Sequence, residues 1–292
     1  MLIGEEKPDP GIAAPELTER QEQEAQDRTS VSAVVVHEAI RHDGEEELNR
    51  SSSALAWSGL AAGLSMGFSL VGEALLQAHL PDRPWRPLLT NLGYSLGYLI
   101  VIIGRQQLFT ENTLTAIIPL LARRNLTTLI RVARLWVIVL VANLAGAHLF
   151  AWVAGNTAMF RPEVQAAMLS LGKQAAAVSF GAALLRGIFA GWLIAMVVWM
   201  LAAIDTGRIA VIVIITYVVG LAGLTHIIAG SINVLFLVLV GAKSWGAAAW
   251  GYMLPTLIGN SIGGVSLTAA LNHAQVVAGM GPKRQSQIVS GA

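Results

Sequence analysis

A handful of residues suited to proton and anion chemistry interrupt sequence that is otherwise almost wholly apolar. Arg105, Thr110 and Glu111 fall in Gly104–Asn112, between an apolar run from Leu88 and another ending near Leu121. His226 follows Gly223-Leu224-Thr225 and precedes Gly230, Ser231 and Asn233, between Ile209–Leu221 and Val234–Val240. Arg186 lies inside a further apolar stretch. Histidine changes charge near neutral pH and can hold or hand over a proton. A hydroxyl beside it can donate or accept, and a guanidinium attracts anions. In an apolar setting such a group of residues suits a weak acid. A bare anion there meets a desolvation cost of several kcal/mol, which it avoids by crossing as the neutral molecule.

Other chemistries lack their residues. There is no His-Glu-x-x-His and no serine nucleophile elbow, and His148, the other mid-span histidine, has no carboxylate near it in sequence. With no cysteine, disulfides and thiolate metal sites are excluded. No enzyme, metal site or cofactor is expected. Neither break carries the Asn-Pro-Ala caps of a water or glycerol channel. A proton-coupled symporter using Glu111 stays open.

The elements that must position these residues are membrane helices. The chain of 292 residues is 54% hydrophobic and 13% charged, with mean hydropathy +0.61, whereas soluble domains average about 25% charged. Six segments are long enough to cross a bilayer core: 54–77, 88–121, 129–154, 175–202, 209–240 and 246–273. The second and fifth are the interrupted ones, and both exceed one straight crossing. Non-helical backbone at membrane depth survives only where it faces protein or a water-filled cavity. Paired breaks in two halves of a chain mark a transport site.

The halves correspond. Gly59, Gly63 and Gly67 in the first span match Gly187 and Gly191 in the fourth, and Asn143-x-x-Gly146 in the third matches Asn260-x-x-Gly263 in the sixth. The register offsets are 128 for Gly59/Gly187, 116 for Thr110/His226 and 117 for Asn143/Asn260. Three spans per half force opposite orientations, giving an all-α fold with a 3+3 inverted repeat.

Charge is segregated. Residues 1–50 hold 13 of the 18 acids and 5 of the 19 bases, so the overall +1 conceals a net −8 followed by +9. The expected organisation is an acidic, partly disordered cytoplasmic segment over 1–50, a transmembrane channel domain over 51–275 and a cytoplasmic tail over 276–292. Glu19–Asp27 reads as solvated, and Val31–His42 as a short helix, either soluble or lying at the membrane surface. With both termini inside, nine bases fall on the inner side, including Arg123, Arg124, Arg131 and Arg134, against five outside. The excess base lies in membrane-flanking loops, so no nucleic-acid partner is expected.

Leu108-Phe109-Thr110, Thr225-His226 with Ala229, Gly187-Ile188 through Val198-Trp199-Met200, Asn143-Leu144-x-Gly146 and Ile258-Gly259-Asn260-x-x-Gly263-Gly264 occur in order. Together they resemble the formate/nitrite transporters over roughly residues 50–275. The resemblance implies an aquaporin-like fold in the inner membrane and a homopentamer with one pore per subunit for small monovalent anions or their weak acids. It implies a pore centre where Thr110 meets His226, and a constriction at Leu108 and Phe109. Lys173 resembles the family's vestibule lysine. Departures bear on selectivity: Gln107 and Thr225 stand where the family typically has glutamate, and Gly191 and Gly230 where asparagine is usual. Glu111 replaces a small residue, and Arg105 and Arg186 are unusual intramembrane bases. Charges at that depth normally pair or line water, so Glu111–Arg105 and Glu73–Arg186 are the expected ion pairs. The alternative has Glu111 or Arg186 facing the path and making the protein cation-conducting or proton-coupled.

Overall fold

Helix boundaries follow the capping chemistry written in the chain. In the computed structural model, which describes Thr18 and residues 31–279, Ser51, Asn125, Ser179 and Ser244 each accept a hydrogen bond from the backbone N–H three residues on. They open α2 (Ser52–His79), α6 (Leu126–Asn156), α8 (Phe180–Ala202) and α11 (Trp245–Ala278). Pro87 sits in the first turn of α3 (Arg86–Ile103), where its missing N–H costs nothing. These five helices are long and apolar enough to cross a membrane. The described chain is all-helical, completed by α1 (Ala33–Asn49), α4 (Asn112–Thr115), α5 (Ile117–Arg123), α7 (Pro162–Ala176), α9 (Arg208–Leu221) and α10 (Ala229–Leu239). The expectations for residues 1–17, 19–30 and 280–292, the solvated acidic stretch and the tail, lie outside the described residues.

Glycines decide which helices approach closely. A methyl group at Gly63 would overlap the Asn143 carbonyl, and one at Gly146 would overlap Leu60, locking α2 to α6. Gly191 faces Asn260 and Gly263 faces Ile188 in the same way, locking α8 to α11. In lipid, packing at small residues drives association. The offsets are again 128 for Gly63/Gly191 and 117 for Gly146/Gly263. α11 accommodates its glycine-rich stretch by widening to π-helix over Ala249–Met253 and Gly263–Ala270.

Two elements depart from the sequence expectations. Residues 162–174, expected to be loop, belong to α7, which buries Val164, Ala167, Met168 and Gly172 and packs on both α10 and α2. It was overlooked because 15 residues carrying Glu163, Gln165, Lys173 and Gln174 do not read as a span. The second is α1, which extends to Asn49 and covers the protein's own end rather than a lipid surface. Val36, Ile40 and Leu48 are buried, and the helix packs on α4, α5, α6, α8 and the end of α11. The Arg123–Arg134 cluster holds it there. Arg123 Nη2 lies 2.9 Å from Glu45, Arg131 donates to Asn49 Oδ1, and Arg134 donates to the Leu48 and Arg50 carbonyls.

Candidate functional site

α3 ends at Ile103 and α9 at Leu221, and both chains then turn in the same way. Gln106 N–H donates to the Val101 carbonyl and Arg105 N–H to that of Ile102; Leu224 N–H donates to Val219 and Gly223 N–H to Gly220. This is the helix-ending turn that needs one left-handed residue. Arg105 (φ 50°) and Gly223 (φ 60°) supply it, 118 residues apart. Glycine adopts that conformation freely, whereas an arginine there stores strain.

The extended segments that follow are held by two asparagines in matching roles. Asn143 Oδ1 accepts from Phe109 N–H at 2.9 Å, while its Nδ2 donates to the Gly59 and Gln107 carbonyls at 2.7 and 2.8 Å. Asn260 Oδ1 accepts from Ile227 N–H at 2.8 Å, and its Nδ2 donates to Gly187 and Thr225 at 2.8 and 3.0 Å. Both side chains are fully buried. Each clamp uses every hydrogen-bonding direction it needs to replace the helical bonds lost at the break.

The clamps bring Thr110 and His226 into contact. His226 Nε2 lies 2.9 Å from Thr110 Oγ1, both residues 0% exposed. His226 Nδ1 accepts the N–H groups of Ile228 and Ala229, each at 3.2 Å, at the start of α10. That fixes the tautomer: the proton of the neutral ring sits on Nε2 and points at Thr110. Leu108 and Phe109 are buried beside the pair, Phe109 edge-on to Trp136 at 5.5 Å between ring centroids. Tyr98 stands edge-on to the His226 ring at 5.3 Å, and its hydroxyl bonds that of Tyr94 at 3.0 Å.

A cavity opens on each side of this buried centre. One, about 300 Å³, is lined by Glu73, Tyr94, Arg186, Gly223, Thr225 and Asn233, among others. The second, about 230 Å³, is lined by Arg105, Gln107, Glu111, Asn112 and Arg208 together with Asp43, Glu46 and Glu47 of α1. α3, α8 and α9 each contribute one end to one cavity and the opposite end to the other. An 18-residue helix such as α3 spans about 27 Å, near the thickness of a bilayer core.

The expected ion pairs are absent among the described residues. Glu73 and Arg186 share the first cavity, and Glu111 and Arg105 the second, without bonding. The cavities supply the reason, since arginines lining an open volume can stay solvated instead of seeking a carboxylate. Arg186 and Arg105 are both exposed. Glu111 has one carboxyl oxygen buried without a partner. Lys173 is exposed and lies outside the lining of the first cavity, to which α7 instead presents Leu171, Gln174 and Ala175. At the departure positions, Gln107 Oε1 accepts from Asn112 at 3.0 Å and Thr225 Oγ1 donates to the Ala183 carbonyl at 2.7 Å. Sequence reasoning missed Tyr94, Tyr98 and the acidic wall from α1. For the clamps the signal was present as Asn-x-x-Gly.

The family model for formate/nitrite transporter matches residues 34–274. This chain belongs to the formate/nitrite transporter family. Inner membrane protein YfdC of Escherichia coli (strain K12) is 40% identical over 262 residues, covering 90% of this chain and 84% of that one. Formate channel FocA of Haemophilus influenzae is 27% identical over 148 residues, 49% of this chain and 51% of that one. A solved structure, the pentameric formate channel with formate bound, superposes with TM-score 0.64 at 18% identity, covering 77% of this chain and 97% of that one. As a member of that family, the chain is a multi-pass membrane protein and a transporter, not an enzyme.

Proposed function

We propose that this protein passes small monovalent anions, of the formate or nitrite kind, across the inner membrane as their weak acids, through one pore in each subunit of a homopentamer. In this reading the chain crosses the bilayer six times as a 3+3 inverted repeat, with α3–α5 and α9–α10 as its broken second and fifth spans. Both termini are cytoplasmic, residues 1–50 forming the inner acidic segment, 51–275 the channel domain and 276–292 the tail. The cavity lined by Glu73 and Arg186 then opens outward, and that lined by Glu111 and α1 opens inward. One observation carries the reading: two cavities approach the buried Thr110–His226 pair from opposite ends of the same helices. The matched turns and asparagine clamps support the inverted repeat.

Arg186 draws the anion into the outer cavity; a methyl group built on Gly223 would lie 3.8 Å from its Nη1, so the guanidinium sits at the second break. Leu108 and Phe109 exclude water and with it the ionised form. The neutral acid crosses by exchanging hydrogen bonds with His226 Nε2–H and the Thr110 hydroxyl. With Nδ1 saturated by two backbone donors, His226 serves as a fixed donor, and protonating it would break both bonds. Proteoliposome flux tests this. Thr110→Val and His226→Phe should assemble normally yet lose discrimination between formate and chloride; unchanged selectivity in both would remove the pair from the pathway.

A second reading has one observation behind it. Asp43, Glu46, Glu47 and Glu111 outnumber Arg105 and Arg208 in the inner cavity. If Glu111 stays charged there, the inner side prefers cations or couples transport to protons.

A further inference from the structure

Glu73 is a buried carboxyl group with no partner among the described residues. Its side chain sits in the last third of α2, one of the membrane-crossing helices, 6% exposed, on the wall of the outer cavity. Among the described residues it forms no hydrogen bond and no ion pair, even though Arg186 lines the same cavity. Arg86, the other base there, is 2.9 Å from Asp82. An unpaired carboxylate so placed carries a large desolvation cost, and nothing in the packing around Glu73 offsets it. A carboxyl group that keeps its proton does not meet that cost. It then presents one O–H to the cavity.

The weak-acid reading above leaves one task unassigned. The anion that Arg186 attracts must gain a proton before it reaches Leu108 and Phe109, and His226, with both ring nitrogens engaged, is a poor source. From this geometry we infer that Glu73 is the proton donor of the outer cavity, protonating a small carboxylate or other weak-acid anion held beside Arg186. The O–H bond of Glu73 breaks and an O–H bond forms on the anion. Glu73 is left as a carboxylate, and the neutral acid moves inward. Glu73 then recovers a proton from external water. On the inner side the acid releases its proton to water in the second cavity, so one proton accompanies each anion. Arg186 and Tyr94, which line the same cavity, are the groups available to stabilise the transient carboxylate.

The inference rests on the weak-acid reading, and the test separates the two. Formate uptake into proteoliposomes is measured from pH 5 to pH 8, above the ordinary carboxylate range, for wild type, Glu73→Gln and Glu73→Asp. Assembly is checked by size-exclusion chromatography. If Glu73 is the donor, Glu73→Gln loses about tenfold or more of its uptake at neutral pH, the order expected for a lost proton-transfer group. It approaches wild type at the acid end, where solution itself supplies neutral formic acid. Glu73→Asp regains part of the neutral-pH uptake because it keeps a carboxyl group. Infrared difference spectra give an independent readout: a protonated-carboxyl band that shifts on adding formate in wild type and is missing in Glu73→Gln. Superimposable uptake–pH profiles for wild type and Glu73→Gln, or no such band, overturn the inference while leaving the weak-acid reading intact. A wild type that takes up no formate at any pH overturns both.

Discussion

Replacing Asn143 with alanine removes three hydrogen bonds at once: one accepted from Phe109 and two donated to Gly59 and Gln107. In soluble proteins each is worth about 1–1.5 kcal/mol, whereas side-chain hydrogen bonds between membrane helices average about 0.6 kcal/mol. The three together therefore bracket roughly 2–4.5 kcal/mol. Asn143 is fully buried, so water cannot step in without opening the α2–α6 contact. Asn260 makes the equivalent three bonds to Ile227, Gly187 and Thr225, and Asn260→Ala should cost the same within about 1 kcal/mol. Equilibrium unfolding in detergent measures the stability, and flux reports whether the breaks still hold Thr110 against His226. An Asn143→Ala protein as stable and as active as wild type would refute the clamp argument. So would a large inequality between the two variants, which would deny that they are equivalent.

Further outcomes follow from neighbouring features. Glu111→Gln should leave anion flux little changed if that carboxyl group is already neutral in the pore; a marked gain in anion flux, or lost cation flux, would instead establish the second reading. Arg105→Gly should raise stability by up to about 1 kcal/mol by relieving the left-handed conformation, and an unfolding midpoint that falls would contradict this. Burial first, then the charges of His273 and Arg41, bring the His37 side chain down from an ordinary value near 6.5 to about 4, with Glu38 opposing them. His37 therefore binds its proton more weakly in place than when released. The docking of α1 is complete above about pH 6.5 and weakens as pH falls toward 4. Amide-exchange protection factors over Ala33–Asn49 should fall across that window, and in His37→Gln they should lose that pH dependence.

The fold was legible where apolar length and polar interruption did the coding. The ends of α3 and α9 were visible because Gly104–Asn112 and Gly223–His226 stand out against Leu, Ile and Val, and the Thr110–His226 meeting followed from the family resemblance. What escaped was set by tertiary packing. α7 has mixed composition and becomes a helix because α10 and α2 together offer a surface for Val164, Ala167 and Met168. The ion pairs expected for Glu73 and Glu111 did not form because cavities, which no local pattern encodes, keep Arg186 and Arg105 solvated. α1 could be read as amphipathic, but the arginine cluster that pins it lies more than 70 residues away in sequence.

The central claim, passage of small weak-acid anions past a buried Thr110–His226 pair, is met most directly by ion-resolved flux through the wild-type protein in proteoliposomes. Formate, nitrite, hydrosulfide, chloride and potassium are compared across pH while internal pH is followed. The account predicts uptake of formate and the other weak-acid anions, each accompanied by proton entry and rising as external pH falls, with little chloride or potassium. Potassium flux with no weak-acid uptake at any pH would contradict it.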